Sequence, residues 1–398
     1  MAEFKHLDIE GLPEGWEAAH FGELVNYALG RTPPRNEAVY WKDGTYPWVS
    51  ISDMEPYGTV TSTSEKVTAL AFEKVFRGQL VPEGSLLMSF KLTIGRIARL
   101  GMPALHNEAI ISFRPQHKKV NEDYLAYYLS QINYADYQDK AIKGHTLNKG
   151  KIDALEIALP PVAEQQRIAQ VLSTVQAAIE QQERLIRTTT ELKQALMQKL
   201  FTEGLRGEAQ KETEIGLVPE SWEVVSLDDV MSCHDGKRKP VTQSDRIPGP
   251  YPYYGASGVT DHVEGYLFDG DYLLIAEDGE NLASRKLPIA FIARGKFWVN
   301  NHAHVLSMKR GNLDFYEQYI AQMEIKDYLS GTTRPKLNKG LMMTIKLPWP
   351  SVSEQNEIAT ALSACDTKLH TAERKRNALQ DLFRTLLHEL MTGKVRVV

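Results

Sequence analysis

The chain has 398 residues, room for two or three domains, with 42% hydrophobic and 24% charged residues, ordinary proportions for a globular fold. No apolar run approaches the ~18 residues of a membrane span, and the amino-terminal stretch has no signal-peptide core. The two cysteines, Cys233 and Cys365, form no CxxC spacing, which argues against a disulfide framework or a zinc site and makes the cytoplasm the expected location; the net charge of −5 leaves any nucleic-acid affinity to local basic clusters.

In chain order, GLPEGWE (Gly11 to Glu17) opens a segment of short β-type runs: YPWVSIS, GSLLMSF, IGRIARL and EAIISFRP. A helical stretch, NEDYLAYYLSQIN, follows. Runs of this length between turn signals, closed by a helix, predict an α+β domain with a curved, mostly antiparallel sheet. Its polar loops are basic: Arg31-Thr32-Pro33-Pro34-Arg35, Ser89-Phe90-Lys91, and Arg96 with Arg99. After the turn Lys143 to Thr146 comes LNKG (Leu147 to Gly150), where Asn148 is placed to cap a short helix that begins with Lys149. Pro160 then precedes a stretch without Pro or Gly, Val162 to Glu203, which predicts a long helix stopped at Gly204.

The same order then repeats. GLVPESWE (Gly216 to Glu223) opens a second set of β-type runs: YPYYGAS, GDYLLIAEDG, PIAFIARG and KFWVNNHAHVLSM. DFYEQYIAQMEIKDYL is the helical stretch. The basic loops here are Gly236-Lys237-Arg238-Lys239-Pro240 and Asn281 to Lys286, with Arg285. The turn GTTRPK, with Arg334, leads to a second LNKG (Leu337 to Gly340) with Asn338 and Lys339. A second long helix is predicted over Ser351 to Thr392, with Ser353 as its N-cap and Gly393 as its stop.

The repetition is an internal duplication at an offset of 190. From each LNKG onward, 12 of 27 residues are identical without a gap, including Pro160/Pro350, Glu164/Glu354 and Gln165/Gln355. Both long helices carry a 3–4 seam, Ile168, Leu172, Val175, Ile179 onward and Ile358, Leu362, Cys365, Leu369 onward, over about five heptads. Gln182, Lys193 and Arg376 interrupt it, and Leu192 and Leu382 offer a neighbouring alternative. Two copies of one module associate about a two-fold axis, so the helices are expected antiparallel, as rods of about 60 Å. The heads match in only three words: PWVS with PYYG, LLMS with LLIA, and NEAI with NHAH, the last aligning Asn107 with Asn301. The predicted organisation is a head at 1–150, a helix at 151–205, a second head at 206–340 and a second helix at 341–398.

This pattern resembles the specificity subunit of Type I restriction–modification enzymes. The resemblance rests on GRTPPRNEAVYWKDGTYPWVSISDM, YPYYGASG, FDGDYLLIAEDG, KFWVNNHAHVL, LPPVAEQQRIAQVL and GLVPESWEVVSL, spread over nearly the whole chain. It implies that each head is a target recognition domain reading one half of a split, asymmetric DNA sequence. The helices would then fix the spacer and dock methyltransferase subunits, two of them, through which restriction/translocase subunits join. It further implies a non-catalytic chain without cofactors, S-adenosylmethionine and ATP belonging to the partners, and no membrane contact.

Read for double-stranded DNA, the candidate contacts are Arg31, Thr32, Arg35, Lys91, Arg96, Lys143 and Lys149 in the first half. In the second they are Lys237, Arg238, Lys239, Arg285, Arg334 and Lys339. Trp41, Trp48, Tyr253, Tyr254 and Trp298 read as core, and His302 with His304 as polar contacts rather than a metal pair. No glycine-rich cofactor turn, Asn/Asp-Pro-Pro-aromatic tetrad or GxxxxGK[ST] motif marks an enzyme. Two other readings stay open: a coiled-coil adaptor without DNA specificity, and a recognition chain serving a fused nuclease–methyltransferase.

Overall fold

The protein is described from a computed structural model covering residues 11–115, 118–137, 147–331 and 335–397. It comprises two compact units: one holds the chain up to Gln181 together with Lys375 onward, the other Gln182–Arg374. Each unit is an α+β head plus a stretch of both long helices.

In the first unit, the main sheet orders strands Val25–Leu29, Ile110–Pro115, Leu86–Ser89, Ile97–Leu100 and Thr59–Val60. All neighbours are antiparallel except the last pair. A smaller sheet pairs Tyr46–Val49 antiparallel with Glu65–Val67 and parallel with Leu105–His106. In the second unit, Met231–Cys233, Ala303–Met308, Tyr272–Ala276 and Ala290–Ala293 form an antiparallel sheet. There Pro248–Gly255 runs antiparallel to Gly258–Val263 and parallel to Lys296–Val299. The registers test the matched words. Trp48 faces Leu105 across a parallel pair as Tyr253 faces Trp298, so PWVS and PYYG are equivalent. NEAI and NHAH are not aligned as the sequence suggested. Asn107 Oδ1 accepts the Ala109 N–H at 3.0 Å, and the residue making the same turn is Asn300, which accepts from His302 at 2.8 Å. The equivalence is shifted by one, and His304 occupies the place of Ile111.

The joint between head and long helix is built twice on one plan. Strand Glu17–His20 pairs antiparallel with Glu156–Leu159, as Glu223–Ser226 does with Lys346–Trp349. Trp16 and Trp222, the markers of the two openings, are buried beside these strands. The first LNKG starts the short helix Lys149–Asp153, with Asn148 Oδ1 accepting the Lys151 N–H at 3.0 Å. The second starts Lys339–Met343, but Asn338 does not cap it: its side-chain amide donates to Ser330 Oγ at 2.8 Å instead.

The long helices span Val162–Glu203 and Val352–Met391. The N-cap of the second is Ser351, whose hydroxyl accepts the Glu354 N–H at 3.3 Å; Ser353, already inside the first turn, donates to Glu357. Every seam residue of both helices is buried or half-buried, whereas Leu192 and Leu382 are exposed. Within the first unit, Ile168, Leu172 and Ile179 share a core with Phe383, Leu387 and Leu390. Within the second, Met197, Leu200 and Phe201 pack with Ile358, Ala359 and Leu362. The start of each helix therefore meets the end of the other, which is antiparallel pairing.

The repeated Glu-Gln pair at each helix start is buried, and its two members do different work. Gln165 donates to the Pro160 and Lys119 carbonyls, both at 2.8 Å, and accepts the Asn121 N–H at 2.8 Å. Gln355 likewise donates to the Pro350 carbonyl and accepts from Asn312 at 2.8 Å. Asn121 and Asn312 are the N-caps of the head helices Glu122–Leu129 and Leu313–Gln322, so one glutamine fastens each head helix to its rod. The glutamates close the helix ends. Glu354 accepts the Leu205 N–H at 3.0 Å and the Trp222 indole N–H at 3.2 Å, and Gly204, at φ +65°, leaves the space they need. Glu164 takes a bidentate pair from Arg396 at 2.6 and 2.7 Å, next to Gly393.

Candidate nucleic-acid interface

The basic loops are pinned from beneath. In the first unit the indole N–H of Trp48 donates to the Arg31 carbonyl, and that of Trp41 to the Pro34 carbonyl, both at 3.0 Å. Arg35 lies over both rings, 4.1 and 4.7 Å from their centroids, and pairs with Glu65. In the second unit the Trp298 indole donates to the Lys239 carbonyl at 2.6 Å. These tryptophans hold the backbone of the basic loops rather than offer a face for base stacking.

The candidate side chains then separate into two groups. Lys91, Lys149, Lys237, Lys239 and Lys339 have no ion pair or side-chain hydrogen bond among the described residues, and all but the half-buried Lys91 are exposed. Arg31 is exposed but already donates to the Val75 carbonyl at 2.6 Å, and Thr32 is bonded to Glu108. Arg96 is turned inward to the carbonyls of Ile51 and Met54 at 3.1 and 3.3 Å. Arg285 is turned inward too: its guanidinium reaches the Ala321 and Met323 carbonyls at the end of the second head helix, and burial lowers its pKa. Lys143 and Arg334 lie outside the described residues.

Arg238 is the largest departure from the expected role. Its guanidinium contacts Glu277 at 2.6 Å, Asp235 at 3.2 Å and the Ala303 carbonyl at 2.8 Å, with only 12% of the side chain exposed. It belongs to a buried ionic network instead of a free loop. His304 completes that network, with Nδ1 on Asp235 at 2.6 Å and Nε2 on the Leu337 carbonyl at 2.7 Å. Burial alone lowers a histidine pKa, but the hydrogen bonds to Asp235 and Leu337 outweigh it and raise His304 to about 9. Asp235 and Glu277 are held below the usual carboxylate range, their burial outweighed by His304 and Arg238 respectively. Cys233, Asp235 and His304 bring ligand-type atoms within 4.8 Å of one another. Both nitrogens of His304 nevertheless act as donors, so a metal would have to displace the proton and the hydrogen bond of one of them. His302 pairs separately with Asp278 at 2.9 Å.

Sequence reading missed this network because its members lie far apart in the chain. The one hint was the acidic pair Glu277-Asp278, of which Glu277 also takes Lys336 at 3.1 Å. Near it, Lys237 and Lys339 lie close enough to His234 to reinforce the effect of its burial and lower its pKa.

Two dissimilar α+β heads, each joined by the same clamp to paired antiparallel helices, define a duplicated recognition scaffold. The family model of the Type I restriction modification DNA specificity domain matches residues 13–187 and 219–381, and the chain belongs to that family. It is 26% identical to a putative type I restriction enzyme MjaX specificity subunit of Methanocaldococcus jannaschii, over 99% of this chain and 97% of that protein. A putative type I restriction enzyme specificity subunit of Haemophilus influenzae is 42% identical over 35% of this chain and 36% of its own length. The crystal structure of the type I restriction–modification S subunit from M. genitalium shares the fold, with a TM-score of 0.65 at 16% identity, covering 94% of this chain and 96% of that one.

Proposed function

We propose that this chain is the DNA sequence-recognition subunit of a Type I restriction–modification complex, each head reading one half of a bipartite, asymmetric target. The observation that carries the reading is the duplicated joint, an identical clamp beneath two heads with different loops. A family whose model is named for DNA specificity supports it, and the adaptor alternative has no comparable support. Lys149 and Lys339 occupy the same place at the two joints, exposed and unpaired among the described residues, and are assigned to phosphates together with Lys91, Lys237 and Lys239. The paired helices set the spacer and dock two methyltransferase subunits, which recruit the restriction/translocase subunits. The chain itself is non-catalytic and works in the cytoplasm; S-adenosylmethionine and ATP act on its partners.

The test is selection from a random-sequence duplex pool by the chain assembled with its methyltransferase. A bipartite motif is expected. Lys149→Ala and Lys339→Ala should each weaken binding to every duplex and lower the salt slope by about 0.9. Enrichment of no motif would overturn the reading and favour the adaptor.

A further inference from the structure

Among the described residues, the large apolar side chain most open to solvent is Leu92, 79% exposed. It also has a backbone φ of +63°, a conformation that glycine adopts freely and leucine does not. It sits at the tip of turn 90–96, between strands Leu86–Ser89 and Ile97–Leu100. Exposure and strain at one residue do nothing for the fold; glycine would serve the turn better.

The turn is not loose. Ser89 N–H donates to the Arg96 carbonyl at 3.0 Å, and Gly95 N–H to the Ser89 carbonyl at 2.8 Å. The Ser89 hydroxyl accepts the Arg96 N–H at 3.1 Å and donates to the Thr93 carbonyl. Arg96 itself is tied to the Ile51 and Met54 carbonyls. Phe90 bonds through its N–H to Ala109 at 2.9 Å and through its carbonyl to Leu147 at 3.0 Å. Gly95, at φ +80°, lies against the Tyr134 ring with no room for a Cβ. What projects is a fixed apolar finger.

Its neighbours indicate what it meets. Lys91 precedes it, and the bond to Leu147 brings up the joint that carries Lys149, two residues further on. Both lysines lack an ion-pair partner among the described residues. A rigid apolar tip next to one lysine without an ion pair, on a turn bonded to the joint that carries another, fits a surface on which anionic rails border a narrow strip with isolated apolar points. The major groove of duplex DNA is such a surface, and its apolar point is the C5-methyl of thymine. We propose that Leu92 is a specificity-determining residue of the first unit, reading a thymine methyl while Lys91 and Lys149 hold the flanking phosphates. The proposal rests on the DNA-reading function above.

The duplex selection is repeated with Leu92→Ala and Leu92→Gly in the assembled complex. Both variants are expected to enrich the same bipartite motif, except that one thymine position, in one half only, is relaxed. Loss of one methyl contact corresponds to about fourfold in affinity. Deoxyuridine in place of that thymine should cost the wild-type complex the same factor and cost Leu92→Ala nothing further. Leu92→Met should retain the preference, and Leu92→Gly should melt no lower than wild type. The unaltered half-site shows within the same experiment that the variant is folded and assembled. An unchanged motif, an equal loss in both halves, or loss of the methyltransferase with DNA choice intact (a protein contact) each overturns the proposal. Failure of the wild-type complex to enrich any motif is a different result, and it removes the DNA-reading function itself.

Discussion

The two heads sit on the rods through equivalent positions filled by opposite chemistry. Phe383 of the second long helix and Lys193 of the first are related by the offset of 190. In the first unit Phe383 packs edge-on against Tyr57 and Tyr127, at centroid distances of 5.3 and 6.0 Å. In the second unit Lys193 pairs with Asp366 at 2.6 Å, and Gln318 of the head helix donates to the same carboxylate at 3.0 Å. The contrast recurs inside the heads, where the buried Ile111 of the first has the buried, charged His304 as its structural equivalent. One scaffold thus tolerates an apolar and an ionic solution at the same seats. At these seats the first unit should be indifferent to pH and salt where the second is not.

The strongest test of that contrast is Arg238→Ala. It leaves Glu277 buried without its main cation, with only Lys336 at 3.1 Å still beside it, and should destabilise the second unit by about 3 kcal/mol in denaturant unfolding. Arg31→Ala, at an exposed arginine of the first unit, should stay within about 0.5 kcal/mol. Equal effects would erase the distinction between structural and surface arginines.

Phe383→Ala removes the aromatic seat and should cost about 3 kcal/mol. Lys193→Ala breaks a partly exposed ion pair and should cost about 1 kcal/mol or less, diminishing in high salt. Differential protection in hydrogen exchange would assign each loss to its unit.

The pH dependence should follow from His304 and Glu317. The folded-state pKa of His304 is raised, so its stabilisation is complete below the unfolded value near 6.5. That stabilisation is lost as pH rises through about 9, a change of about 3 kcal/mol in the second unit. Burial lifts Glu317 to about 7, Asp366 and Asp314 adding to the shift and Lys193 opposing it. An acid with a raised folded-state pKa makes the fold less stable as pH rises from its unfolded value to about 7. Glu317→Gln should therefore melt above wild type at pH ~8 and level with it at pH ~4. Thermal melts of the second unit that ignore pH over this range would contradict the ionic seat.

The smallest expected difference lies between the two asparagines of LNKG. Asn148→Ala deletes a side-chain cap and should cost about 1 kcal/mol. Asn338→Ala removes only an exposed bond to Ser330, worth a few tenths of that.

The repeated words carried most of the architecture because each is a local signal. Pro160 and Gly204 bracket one helix and Pro350 and Gly393 the other, and the seam between them is a periodicity readable from any window. Local signals also misled at single residues. Ser353 looked like the cap because it is a serine near the helix start, but Ser351 holds the position outside the first turn. NHAH looked like NEAI by letters, but the turn-forming asparagine is Asn300. The basic loops were visible, while the fate of their cations was not. Glu277 lies 39 residues from Arg238, and Ala303 lies 65 away. No spacing in the sequence announces that those groups converge.

The sequence by itself determined the duplication, the two long helices, the antiparallel seam and the joints, since periodicity, punctuation and repetition are properties of the chain in order. Only the tertiary structure decided which cations are free and which are built in, that Gln165 and Gln355 clamp the head helices, and that Leu92 is held out into solvent. Those outcomes depend on which distant carbonyls and carboxylates fold against each side chain, and burial and pairing in three dimensions fix that.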